Sequence, residues 1–280
     1  MEDFREHAID KLVESVLRKS HPDQFVWLED KLDIPLRKGL ASWPEFVEVS
    51  ERRNLFVHAA GRVSSQYLEN CGKHGVSLDV AATLGKRLAV SADYFHRARC
   101  VVQEIGVKLG QVVWRKLLPD QEAEADGAVV DITYEAIRHN DLDLAIELLN
   151  FVLTGIPRRE RDSEKCLIMR INLAQAQKWS GNDEACRRTI EMYNASLVAD
   201  RFALALHVLR DQFEDAAKAM RRIGKNGIIS KEDYRNWPLF REFSKSSEFD
   251  AAYLEIFEER YGPDLLSSDE DPEAETDHDQ

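Results

Sequence analysis

The sequence holds no apolar run near the roughly 20 residues that a membrane-spanning helix needs. Its opening stretch, MEDFREHAID, is acidic and amphipathic instead of following the basic-then-apolar order of a signal peptide, so no secretory leader is expected. Cysteine is scarce: Cys71, Cys100, Cys166 and Cys186 lie far apart, with no Cys-x2-Cys pair and no histidine expected to complete a zinc site. Reduced thiols in a cytoplasmic protein without membrane association follow as the expectation. The sequence also lacks a phosphate-binding glycine loop, a His-Glu-x2-His pair and a Gly-x-Ser-x-Gly elbow, which argues against P-loop hydrolysis, zinc-protease and serine-hydrolase chemistry. No carboxylate cluster suits a two-metal mechanism, so neither metal nor cofactor is expected. His7, His21, His74, His96, His139 and His207 stand singly and receive no role.

Positive charge is in short supply overall, at a net charge of −13, but the deficit is uneven. Residues 1–118 carry 18 Lys and Arg against 16 Asp and Glu, whereas 119–280 carry 20 against 35. The acidity therefore lies outside the first part of the chain. Cutting accessible nucleic acid needs local cations, not a basic surface everywhere.

The hydrophobic pattern is helical throughout and predicts an all-α fold. A first amphipathic helix is expected near 2–19, broken by His21-Pro22, with shorter apolar segments around 24–40. Ser42-Trp43-Pro44-Glu45 reads as a capping box opening a helix that runs to about Gly61. Phe46, Val49, Phe56 and Ala60 are expected on its core side, with Val47, Glu51, Asn54 and His58 forming a second stripe. Residues 86–117 predict one long helix with a stripe of Phe95, Ala98, Val102, Ile105, Leu109 and Val112. PDQEAEADG, residues 119–127, reads as a linker.

Within that third helix, Arg53, Asn54 and His58 supply a cation, an orienting amide and a titratable imidazole within about one and a half turns. Such a set suits metal-free acid–base chemistry on a phosphodiester. Five residues at about 100° each leave Arg53 and His58 about 140° apart around the axis. Two copies packed about a two-fold axis would bring each Arg53 near the other's His58. Glu51, Arg52 and Tyr67 are candidates for the surrounding shell, with Tyr67 weighed both as a surface for a stacked base and as an ordinary bundle tyrosine.

The stretch RRNLFVHAAGRVSSQYLENC resembles the motif of HEPN-domain proteins, in which Arg, a polar residue and His share one helix. The matching positions are Arg53, Asn54, Leu55, Phe56, Val57, His58, Gly61, Tyr67 and Leu68. Where the family often has a polar residue after the histidine, this sequence has Ala59. The resemblance implies a HEPN-like helical bundle over 1–118, a homodimer, and a metal-independent ribonuclease in which Arg53, His58 and Asn54 are catalytic. Attack by the RNA 2′-hydroxyl would leave a 2′,3′-cyclic phosphate and a 5′-hydroxyl. The biology it implies is that of a toxin or an antiviral-defence effector.

Beyond 127, Leu142-x2-Ala145, Asn182-x2-Ala185, Phe213-x2-Ala216 and Phe249-x2-Ala252 each open a helix after a polar turn. The region 128–264 resembles a degenerate tetratricopeptide (TPR) array, which implies docking of a protein partner such as an antitoxin, sensor or activator. Trp237-Pro238-Leu239-Phe240 is expected to anchor the last pair. Residues 265–280, with seven acids in the last fourteen positions, predict a disordered acidic tail. The competing expectation is a catalytically silent dimeric helical scaffold, or an RNA-binding regulator, acting through the repeats.

Overall fold

The computed structural model describes residues 2–78, 82–156 and 164–262, without the side chains of residues 2–5 and 8. The expected acidic tail lies outside them. The described residues are mostly helical, and their one strand-like feature is a bridge between Arg62 and Arg87. Two compact units follow one another, residues 1–169 and 170–280.

The first unit contains α1 (Glu2–Leu17), α2 (His21–Leu32), α3 (Trp43–His58), α4 (Ser65–Lys73), α5 (Ala92–Leu117), α6 (Glu122–Arg138) and α7 (Leu142–Asn150). Helix α8 (Glu164–Trp179) carries the boundary. The second unit continues with α9 (Asp183–Ile190), α10 (Asp200–Leu209), α11 (Phe213–Ile223), α12 (Lys231–Asn236) and α13 (Ser247–Phe257).

Helix α3 bridges two separate apolar clusters. Near its start, Trp43, Phe46 and Val47 pack with Phe25 and Leu36 and with Val101 and Ile105 of α5. Near its end, Leu55 packs with Val63, Tyr67, Cys71 and Leu88. At about 100° per residue Leu55 stands about 180° around the axis from Phe46 but only about 80° from Val47, so the buried side shifts between the two clusters instead of following one stripe. The single core stripe expected through Phe46, Val49, Phe56 and Ala60 is therefore corrected: Phe56 is 37% exposed and Ala60 is also exposed. The capping box is also absent. Ser42 has helical backbone angles and donates its hydroxyl to Glu104 Oε1 (2.7 Å), while Glu45 takes both Nε and Nη2 of Arg97 (2.8 Å each). Long-range partners on α5 outcompete the local cap.

A buried carboxylate ties α3, α4 and α5 together. Glu48 accepts from the Tyr67 hydroxyl (2.7 Å), the Tyr94 hydroxyl (2.8 Å) and Arg52 Nε (2.6 Å). The Arg52 guanidinium also lies 4.1 Å from the centre of the Tyr94 ring. Glu48→Ala would strand Arg52 without its counter-ion and two phenols without their acceptor. It should lower unfolding free energy by about 3–5 kcal/mol in a urea titration. A loss below about 1 kcal/mol would show that this network contributes little to holding the bundle.

On α5 the stripe is shifted from the expected one. Ala98, Val101, Ile105, Lys108 and Gln111 are buried, and Leu109 and Val112 pack at the edge of the first cluster, whereas Phe95 and Val102 are exposed. The linker expected over 119–127 is helical instead: a single turn at Pro119–Gln121 leads directly into α6. Pro119 is tolerated in a first turn, and Glu and Ala after it are strong helix formers. No described helix is long and apolar enough to cross a membrane.

The α6–α7, α8–α9 and α10–α11 pairs are joined by the same turn. A left-handed residue (Asn140, Gly181 or Asp211) is followed by Asp141, Asn182 or Gln212. The N–H of that second residue reaches the carbonyl five positions back, on Ala136, Gln177 and His207 (2.8, 2.8 and 2.9 Å). This is the Schellman closure of a helix C-terminus, and in each case the next helix starts at once. Ala145, Ala216 and Ala252 are fully buried, while Ala185 is partly exposed. In the second unit, Phe240, Phe243, Phe249, Tyr234 and Tyr253 form an aromatic cluster, with Trp237 edge-on to Phe240.

Candidate active site on helix α3

Arg53, Asn54 and His58 all lie on the exposed side of α3. Arg53 Nη1 donates to Asn54 Oδ1 at 3.3 Å. Asn54 and His58, four residues apart, are neighbours along the helix. Among the described residues, no hydrogen bond or ion pair engages the His58 ring, and none joins it to Arg53. The spacing around the axis thus brings Asn54 to each of its neighbours but leaves Arg53 and His58 apart.

His58 is the last residue of the helix because the chain reverses immediately behind it. Ala60 and Gly61 take positive φ (49° and 76°), and the Gly61 N–H returns to the Leu55 carbonyl at 2.9 Å. The left-handed backbone favours glycine at 61, and a Cβ there would meet Phe56 Cε1 at 2.9 Å, so the exposed Phe56 ring would have to shift. The Arg62–Arg87 bridge follows, held by Val63 N–H to Lys86 O and Leu88 N–H to Gly61 O (2.9 Å each). It gathers Arg62, Lys86 and Arg87 beside the end of α3. All three are exposed, and none forms an ion pair among the described residues.

The shell candidates are placed differently. Arg52 is committed to Glu48, and Glu51 is buried. Tyr67 is 1% exposed and its hydroxyl is on Glu48, so of the two readings it is the bundle tyrosine with a satisfied hydroxyl, and the ring has no free face for a stacked base. Burial, together with the Glu48 hydrogen bond, pushes the Tyr67 phenol well above its ordinary value, and burial with the Glu48 charge does the same to Tyr94. Both remain neutral donors. Burial likewise pushes the Cys71 thiol up to about 12, with Glu48 and Glu51 adding to it. A cleft of about 860 Å³ lined by Pro44, Glu45, Arg52, Leu88 and Tyr94 opens beside this network, but Arg53, Asn54 and His58 do not line it.

Sequence reasoning missed Glu48 and Tyr94. The four-residue spacing of Glu48 and Arg52 was a readable signal for a helical ion pair, whereas nothing local marked Tyr94. The sequence offered no histidine placed to complete a zinc site, yet the fold brings one to a cysteine. His96 lies one turn from Cys100 on α5, and Asp141 joins them from the α6–α7 turn. Burial and the Asp141 charge raise the Cys100 thiol above its ordinary value. In comparisons with protein-family models, curated proteins and solved structures, nothing matches this chain.

Proposed function

We propose that residues 1–118 form a HEPN-like, metal-independent endoribonuclease that works as a homodimer, with Arg53, His58 and Asn54 at a site shared between two copies. The observation that carries this reading is the state of the α3 surface. Arg53 and His58 are exposed and free of ion pairs, and the apolar Phe56 and Val57 (37% and 55% exposed) lie among them on the same helix. Apolar side chains beside unengaged polar ones suit a surface completed by a second copy. The cations Arg62, Lys86 and Arg87 next to it suit a phosphate backbone.

In such a site His58 removes the proton from the ribose 2′-hydroxyl, whose oxygen attacks the adjacent phosphorus. The 5′-oxygen leaves and takes up a proton, giving a 2′,3′-cyclic phosphate and a 5′-hydroxyl end. Arg53 presents a permanent forked cation to the charge that builds on the phosphoryl oxygens. Asn54, already on Arg53, steadies the guanidinium or contacts the phosphate. The helical pairs beyond residue 128 serve, in this reading, as a TPR-like docking region for a regulatory protein in a toxin or defence system.

Single-stranded RNA incubated with the full-length protein in EDTA should be cut to fragments ending in 2′,3′-cyclic phosphate, while the all-deoxy strand stays intact. Cleavage of the DNA strand, or strict dependence on magnesium, would overturn the mechanism. RNA binding without any cutting would favour a silent helical scaffold.

A further inference from the structure

Three chemically different ligand atoms converge away from α3. His96 Nε2, Cys100 Sγ and Asp141 Oδ1 all lie within 4.8 Å of one another. The separations are 3.8 Å from sulfur to nitrogen, 3.9 Å from sulfur to oxygen and 3.3 Å from nitrogen to oxygen. Zinc bonds of about 2.3 Å to sulfur and about 2.0–2.2 Å to nitrogen and oxygen, at tetrahedral angles, imply ligand-to-ligand edges of roughly 3.4–3.6 Å. The triangle fits that tetrahedron to within roughly 0.4 Å. Direct contacts within the triangle are weak: the sulfur separations allow only long hydrogen bonds, and the nitrogen–oxygen separation lies at the edge of the usual range of about 2.7–3.2 Å. A thiol–imidazole–carboxylate relay is a poorer fit still. Such a relay uses one ring nitrogen for the nucleophile and the other for the carboxylate, and here both partners face Nε2.

The position of Asp141 supports the same reading independently. It stands in the turn before α7 where Asn182 stands before α9. Asn182 caps its helix, accepting from the Ala185 N–H at 3.0 Å. Asp141, an equally good capping residue, makes no side-chain cap bond. Its carboxylate, 4% exposed, turns instead toward His96 and Cys100. Arg99 Nη2 holds the other oxygen, Oδ2, at 2.6 Å, which orients the carboxylate and leaves Oδ1 to the cluster. The same nitrogen lies 3.5 Å from His96 Nδ1 and from Cys100 Sγ, so Arg99 borders the cluster.

We infer that His96, Cys100 and Asp141 form a binding site for one divalent transition-metal ion of zinc-like softness, with the fourth position open to water. A thiolate and an imidazole select such an ion over magnesium or calcium. The His96 side chain is 61% exposed, which leaves an entry path and room for the fourth ligand. On binding, Cys100 gives its proton to solvent and ligates as thiolate, while His96 ligates through the Nε2 lone pair as the neutral ring. The ion would clamp α5 to the α6–α7 turn. Nothing on α3 takes part, so this site stands or falls separately from RNA cleavage.

The test is titration of the metal-stripped full-length protein with Co²⁺. One equivalent should produce the near-ultraviolet charge-transfer band of a single cobalt thiolate, and Zn²⁺ should displace it. Cys71, Cys166 and Cys186 are buried, so the band reports on Cys100. Cys100→Ala should abolish the band, and His96→Ala should weaken binding at least tenfold. Both variants should keep the helical circular dichroism of the parent. Zn²⁺ should raise the melting temperature of the parent but not that of Cys100→Ala. A parent protein that shows no thiolate band, or a band of equal strength in Cys100→Ala, would overturn the assignment.

Discussion

His58→Ala should lower RNA cleavage by roughly a hundred- to ten-thousand-fold, the usual contribution of a positioned acid–base group, with a melting temperature close to that of the parent. The second half of this expectation rests on placement. His58 is exposed, and its ring has no hydrogen-bond partner among the described residues. Exposed substitutions away from packed features usually change stability by no more than about 0.5 kcal/mol. Alanine also suits a helix better than histidine. Rates on labelled RNA and a thermal melt of the same preparation check both halves together. A variant that still cleaves at the parental rate would remove His58 from the chemistry, and one that loses activity only because it unfolds would assign it a packing role.

The contrast with Glu48 shows why the site was only partly legible in the sequence. The order of charged, amide and imidazole groups on α3 is a local pattern, and a helix places local patterns reliably. Helices α1, α3 and α5 accordingly lie close to where periodicity put them. The facing of α3 was not legible, because its two halves bury differently directed sides against clusters built from α2 and α5 at one end and from α4 and Leu88 at the other. A single-stripe reading averages two directions, and it placed Phe56 in a core that does not extend there. The Arg52–Glu48 pair was legible as a four-residue helical spacing, but the convergence of Tyr67 and Tyr94 on the same carboxylate was not, since they lie 19 and 46 residues from Glu48. Residues 119–127 were misread from composition: acids and a glycine suggest a linker, but Pro119 followed by Glu and Ala starts a helix that tolerates Gly127. The spacing of His96 and Cys100 was visible as one helical turn, while Asp141 lies 41 positions beyond Cys100 and reaches it only through the α6–α7 turn.

Arg53→Ala and His58→Ala subunits, each inactive alone, should recover roughly a quarter of parental activity when they are mixed and allowed to exchange. The figure follows from two-fold symmetry. Random pairing makes half of the dimers heterodimers. In each of these, one of the two composite sites receives an intact Arg53 from one chain and an intact His58 from the other, while the second site carries both lesions. The helical geometry is the reason to expect sharing: the two side chains stand about 140° apart around one axis, and neither lines the neighbouring cleft. Sharing also gives the exposed Phe56 and Val57 a role as the apolar contact between the paired helices. If both groups instead came from one chain, every site in the mixture would carry a lesion, and the rate would stay at the level of the single variants. Differently tagged subunits co-purified as heterodimers make the two cases distinguishable. Absence of recovery in proven heterodimers would rule out the composite site even if His58 proves essential on its own.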